Sequence, residues 1–153
     1  MLSLDTPGSP ERAAALADIH AVLHGYAFMA RDKALFAEMA KFFWPDGWFR
    51  FPSGHAVRPT DINLIVQGDE AEYIRHHITT INVQFTSDNE AHVNAQFFAT
   101  THLSFYDHWG AWVDDFRRDA NGEWRIADRT IVLEGTAPGG WGEAKLGKFV
   151  KRE

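Results

Sequence analysis

Apolar residues recur at three- and four-residue steps in the first third of the chain and at two-residue steps between about residues 75 and 134. That change of period predicts helices first and long strands afterwards. Ser9-Pro10-Glu11 reads as a helix start, with Ser as the cap, Pro at the first helical position and an acid in the first turn. Leu16, Ile19, Leu23, Tyr26 and Ala30 then form one apolar stripe that ends near Arg31. Asp32 caps a second predicted helix, whose buried side is Leu35, Phe36, Met39, Phe42 and Phe43, and Pro45-Asp46-Gly47 ends it. Trp48 to Phe51 reads as a short strand. Thr60 or Asp61 caps a third predicted helix that reaches about Tyr73.

The following stretch, Arg75 to Tyr106, reads as an antiparallel hairpin around the polar turn Ser87-Asp88-Asn89-Glu90. A turn there sets His77 roughly opposite Thr101 and His102. Ile81, Val83 and Phe85 alternate with Asn82, Gln84 and Thr86, so odd positions face the core. His77 shares that parity and is expected inside, with His76 outside. Ala91, Val93, Ala95 and Phe97 take the inner face of the second strand. His102 has the opposite parity, and a bulge at Phe97-Phe98 or Thr100-Thr101 is needed to turn it inward. His108 to Asp119 and Glu123 to Glu134 read as two more strands, joined by the tight turn Ala120-Asn121-Gly122. Helices followed by an antiparallel meander predict an α+β domain. It is expected to be one domain over 1–153, with a core at about 10–134 and a flexible tail at 135–153. Within that tail, Gly135 to Gly142 is expected to be a mobile connection.

Composition narrows the classes of function. The absence of cysteine removes disulfides, thiolate nucleophiles and cysteine-bound metals. A net charge of −6 with scattered Lys and Arg argues against tracking a nucleic acid backbone. No apolar run approaches the roughly 18 residues of a membrane span, and the first residues lack the features of a signal peptide, so a cytoplasmic protein is expected. Aromatics make up 14% of the chain, enough to line a pocket for a flat ligand as well as a core. An outer sheet face carrying Thr80, His92, Asn94 and Trp112, with that aromatic surplus, predicts a homo-oligomer, dimer or trimer.

His77 and His102 on one wall are the chemistry this pattern points to, because converging imidazoles titrate near neutral pH. His20 and His24 stand at helical i, i+4 spacing without the rest of a zinc motif. His77, His102 and His108 have no ligand spacing that supports a metal site either. Asp114 and Asp115 are neighbours on a strand and point to opposite faces, so they do not flank one bond. Asp115 is expected to pair with an arginine such as Arg117 or Arg129.

HHITTINVQF, with the closing run Gly110, Trp112, Asp115, Arg117-Arg118, Gly122, Trp124-Arg125-Ile126 and Arg129, resembles the SnoaL-like family of the nuclear transport factor 2-like superfamily. The early Tyr26-Ala27 also fits, and the resemblance covers about residues 10–134. It implies a cystatin-like α+β fold, in which a curved antiparallel sheet forms a cone-shaped barrel around the N-terminal helices. Within the family the scytalone dehydratase branch is similar in placing one histidine on each hairpin strand, here His77 and His102. The branch's acid corresponds to Asp32 with a one-residue slip, beside Arg31, and its pocket tyrosine falls near Phe51. Its Ser and Asn fall near Gly110 and Trp112, so this chain departs from it there.

The resemblance implies a lyase of the dehydratase type or an isomerase, acting without a cofactor on a small cyclic or aromatic hydroxy or keto compound. In that reading His77 is the base, held by Asp32, and His102 or Tyr26 donates to the leaving hydroxyl. Arg31 or a bound water stabilises the oxyanion, and Tyr26, Arg31, Phe51, Phe98 and Trp112 line the substrate. Two other classes share the fold: the small accessory subunit of a ring-hydroxylating dioxygenase, and a binding protein without turnover.

Overall fold

The computed structural model describes residues 4, 6–30, 36–62, 64 and 71–146. Helix α1 spans Pro10–Met29, and the Ser9 side chain accepts a hydrogen bond from the backbone N–H of Arg12 at 3.2 Å, as its cap position requires. It buries Ala15, Ile19, Leu23, Tyr26 and Ala27. A short α2 (Phe36–Met39) follows, then a 3-10 turn over Ala40–Phe42. The predicted caps of the second and third helices differ in fate: Asp32 lies outside the described residues, and Thr60 and Asp61 sit in the 3-10 turn Pro59–Asp61.

Six strands form one sheet in the order β2-β1-β6-β5-β4-β3, with β1 Phe43–Arg50, β2 Ala56–Val57, β3 Ile74–Ser87, β4 Glu90–Thr101, β5 His108–Arg118 and β6 Trp124–Thr136. Neighbours run antiparallel except β1 and β6, which are parallel. Helix α1 packs against both β3 and β6, although β4 and β5 separate those strands in the sheet. A flat sheet does not allow that, so the sheet curls around the helix and has a concave inner face.

Pro45-Asp46-Gly47 does not end a helix. It forms a bulge inside β1, between the pairs Phe43 with Ile126 and Trp48 with Asp128. Gly47 is needed there, because a Cβ would stand 2.7 Å from the Ala127 carbonyl oxygen. The core lies between α1 and the inner face, where Ile19, Leu23, Val93, Ala95, Phe116 and Ile126 are fully buried. Burial of a large apolar side chain in such a core contributes about 1.5–3 kcal/mol.

After β6 the chain turns into a third helix, α3 (Trp141–Lys145), with Trp141 and Gly142 buried. Trp141 and Gly142, which lie at the end of the stretch expected to be a mobile connection, therefore pack into the domain, their N–H groups bonded to Asp107. No helix among the described residues is long and apolar enough to cross a membrane.

Candidate functional site

The histidine doublet reaches the sheet on β3, and one residue decides which histidine enters the core. Ile78 pairs with Phe97 and Thr80 with Gln96, so Thr79 is an extra residue with no partner of its own. Such a bulge inverts the alternation. Beyond it Ile81, Val83 and Phe85 face in; before it Ile78 and His76 do. His76 is the inward imidazole. His77 is exposed, stacks on Phe98 with ring centres 4.7 Å apart, and has Nε2 3.4 Å from the Thr100 hydroxyl.

This corrects the expected geometry. The bulge is in β3 rather than β4, which pairs with β5 without interruption from Glu90 to Ala99. His77 therefore stands opposite Phe98, not opposite Thr101 and His102. His102 lies on the exposed connection beyond β4, its ring edge-on to Tyr73 at 6.2 Å. Phe98, stacked on His77, is on the outer face as well. His77, Phe98 and His102 thus do not join the inner cluster, and Arg31 and Asp32 lie outside the described residues.

Tyr26 and Trp112 do come together there. Their rings meet edge to face at 5.2 Å, and Trp112 stacks on Phe97 at 5.0 Å and lies 5.4 Å from His76. Trp112 is 2% exposed, so it is not part of an outer oligomer face; the outward tryptophan of β5 is Trp109, at 39%. Phe51 is buried against Phe49 and connects to Tyr26 through the rings of Phe49 and Phe43.

Sequence reasoning did not place Arg129 in the site. It is fully buried, and its guanidinium lies 4.2 Å from the Tyr26 ring centre and 4.3 Å from that of Trp112. Nε and Nη2 donate to the two carboxylate oxygens of Asp114 at 2.8 and 2.6 Å, the fork geometry of an ion pair. Burial pushes the Asp114 carboxyl up against the pull of Arg129, while burial of the guanidinium is outweighed by Asp114 together with Tyr26, which keep it charged. We take the pair as ionised, because two parallel charge-assisted bonds fit carboxylate and guanidinium. The expected arginine partner thus belongs to Asp114; Asp115 faces out and accepts from His92 Nδ1 at 2.9 Å. Parity along β5 could have revealed this, since Trp112, Asp114 and Phe116 share the inner face.

A second polar pair adjoins His76. Asp107 is fully buried and accepts four hydrogen bonds: from His108 Nδ1, the Thr101 hydroxyl, and the backbone N–H groups of Trp141 and Gly142, all at 2.7–2.8 Å. Burial raises its proton affinity, but the bonds from His108, Thr101 and Gly142 overcome that and hold the carboxyl below its usual range. The His108 ring lies 5.7 Å from His76, nearly perpendicular to it. Burial, helped by His108 and Arg129, pushes His76 well below the ordinary histidine value, so its imidazole is neutral at physiological pH. Burial likewise pushes the Tyr26 hydroxyl up to about 12, and it stays protonated.

Two buried nitrogens in this cluster have no hydrogen-bond partner among the described residues: His76 Nδ1 and Arg129 Nη1. No group of three or more His, Cys, Asp or Glu among those residues could hold a metal ion. The arrangement combines a neutral imidazole, a fixed cation and a protonated hydroxyl around the Trp112 ring. Such a set can accept a proton and stabilise an oxyanion.

The model of the SnoaL-like domain matches residues 11–130. No curated protein matches the chain by sequence. Among solved structures, a Mycobacterium tuberculosis protein of unknown function superposes with a TM-score of 0.75 at 17% identity, covering 94% of this chain and 92% of its own. The hexachlorocyclohexane dehydrochlorinase LinA-type3 of Novosphingobium barchaimii gives 0.72 at 13% identity, over 83% of this chain and 91% of its own. A candidate scytalone dehydratase of Novosphingobium aromaticivorans gives 0.69 at 18% identity, over 83% and 89%. At these identities the likeness is one of fold.

Proposed function

The chain belongs to the SnoaL-like family, and from that premise we propose that it is a lyase of the dehydratase type or an isomerase. Its substrate is a small cyclic or aromatic hydroxy or keto compound, and His76 is the proton acceptor. The reading rests on the pair of unpartnered nitrogens, His76 Nδ1 and Arg129 Nη1, buried on the concave face. Leaving a buried polar group unpaired costs roughly 1–3 kcal/mol, a cost that a bound ligand with matching polar atoms offsets. The similar structures include proteins described as a dehydrochlorinase and a candidate dehydratase, which supports elimination chemistry as the class.

Elimination next to a carbonyl needs no redox partner. The neutral His76 takes the proton from the carbon, and those electrons form the new double bond as the C–O bond breaks. Arg129 stabilises the oxyanion that develops on the carbonyl, and the protonated Tyr26 donates a hydrogen bond to the departing hydroxide. His76 then returns the proton to make water. Asp32 keeps the role that the resemblance implies, a carboxylate supporting the base. The outward His77 has no part in this scheme, and the hydroxyl-donor role falls to Tyr26 instead of His102.

The test is a panel of cyclic hydroxyketones and hydroxylated aromatics, screened for loss of water or isomerisation by mass spectrometry and chromatography. With a substrate in hand, His76→Gln is expected to lower turnover by about 10²-fold or more, the scale of a positioned base. His77→Gln is expected to leave turnover near wild type. Because the working form of His76 is the neutral one and its proton affinity is depressed, activity should persist below the ordinary histidine pKa of about 6.5. Unchanged turnover in His76→Gln together with loss in His77→Gln would overturn the assignment. Tight binding without conversion in the wild type would leave a non-catalytic binding protein.

A further inference from the structure

We propose that Asp107 is a positioning residue of this site, seated by the C-terminal turn: it fixes the His108 ring and, through that ring, holds His76 in place. The inference rests on the reading of His76 as the base.

The observation behind it is how completely the Asp107 carboxylate is built in. Its Oδ1 accepts from His108 Nδ1 and from Gly142 N–H, and its Oδ2 from the Thr101 hydroxyl and from Trp141 N–H. Four donors from three separate parts of the chain meet one carboxylate that is 0% exposed. A hydrogen bond into the Asp107 carboxylate requires a proton on His108 Nδ1, which fixes the orientation of the ring. His108 then packs edge-on against His76, with Phe97 at 6.1 Å and Trp141 at 6.0 Å on its other sides.

His76 is faced by His108 and Trp112 from β5, by Phe97 from β4 and by Arg129 from β6, with His77 next to it in the chain. Tyr26 of α1 and Asp114 of β5 stand behind, against Trp112 and Arg129. Of these groups, His108 is the one whose orientation depends on the C-terminal turn. That dependence explains a glycine: a Cβ at Gly142 would lie 2.7 Å from Asp107 Oδ1 and 2.9 Å from His108 Cβ.

The test uses the full chain and two variants, read first by NMR of the imidazole rings, which needs no substrate. The wild type is expected to carry His108 as the Nδ1–H tautomer. In Asp107→Asn the amide N–H₂ confronts donors on one side, so the tautomer should change and the His76 titration should move with it. Gly142→Ala leaves every side chain of the cluster chemically intact and should displace Asp107; it is expected to shift the His76 titration as well. With a substrate, both variants should lose about tenfold in turnover or more, part of the roughly 10²–10⁴ that a positioned base supplies.

The proposal is overturned if wild-type His108 is protonated only at Nε2. It is overturned equally if either variant folds and leaves the His76 titration unchanged. Should both variants fail to fold, the wild-type tautomer decides. Full turnover in His76→Gln would remove the base reading while leaving the link between Asp107, His108 and His76 to stand or fall on the ring signals.

Discussion

His76 and His77 differ by one position and by nearly everything else that governs a titration. His76 sits against His108, Phe97 and Trp112, whereas His77 lies in the open on Phe98. In the folded protein His76 takes up a proton well below the ordinary histidine value, while in the unfolded chain it does so near about 6.5. Below that value the unfolded state binds a proton that the folded state does not. Stability from this residue is therefore complete above about pH 6.5 and is lost as the pH falls from there. His76→Gln should make the decline of Tm between about pH 7 and about pH 5 shallower than in the wild type. Identical slopes in thermal melts would contradict the burial of a neutral imidazole. Arg129 and Asp114 make a second residue-scale case. Removing one partner, as in Arg129→Met, leaves a buried charge alone and should cost about 3–5 kcal/mol in chemical denaturation. Replacing both partners with apolar residues should cost less, and equal losses would mean that the pair is not ionised.

For the strands, a single unpaired residue carries the outcome. Thr79 is the extra position between the pairs Ile78 with Phe97 and Thr80 with Gln96. Deleting it would restore strict alternation without changing any face: Ile78 would be followed directly by Thr80, so His76 and Ile78 still point to the same side as Ile81, Val83 and Phe85. The deletion is therefore expected to keep the pairing of β3 with β4 and to leave His77 exposed, because the apolar sets on both sides of the bulge keep their faces. Protection of the β3 amides from exchange and the solvent accessibility of His77 would check this; a deletion variant in which His77 becomes buried would refute the assignment of Thr79 as the extra residue. The same local physics misled the reading of Pro45-Asp46-Gly47. That triplet breaks a helix in most settings, but here it bulges inside β1, paired in parallel with a strand some eighty residues away. A local signal says that regular structure is interrupted; it does not say whether a helix or a strand is the element interrupted.

In the whole molecule, the curl of the sheet separates two surfaces. The concave face holds the polar cluster against α1. The connection after β4 leaves Phe105 72% and Tyr106 59% exposed, and their rings join Phe98 on the outer side. Apolar area of that kind is expected to be covered by self-association, so light scattering at micromolar concentration should report a homo-oligomer. A monomer there would remove the expectation, and Phe105→Ser should weaken the assembly without changing the fold. The C-terminal turn matters at the same scale. It closes over Asp107 with two backbone N–H groups, and so makes residues 141 and 142 part of a site whose histidines lie on β3 and β5.

Local spacing by itself determined that a long helix precedes the strand meander, the Ser9 cap of α1, the inner set Ala91, Val93, Ala95 and Phe97, and the α+β class, but not the end of the second helix, where β1 already begins at Phe43. The resemblance carried by the closing run was enough for the family, and Tyr26 was legible as an inner aromatic from the helical stripe, whereas Trp112, which the pattern also put on an outer oligomer face, is inside. The bulge in β3 was not legible. Thr79 and Thr80 are both at home in a strand, and which one goes unpaired depends on how β4 seats against them. That choice exchanged His76 for His77. Arg129 and Asp107 were hidden for a related reason: a buried charge is tolerated only with its partners, and theirs come from elements distant in sequence. Arg129 needed the register of β5 against β6, and Asp107 needed the chain to return with Trp141 and Gly142. Alternation is a property of a strand, but the phase of that alternation, and with it the face each histidine takes, was decided only when the strands paired.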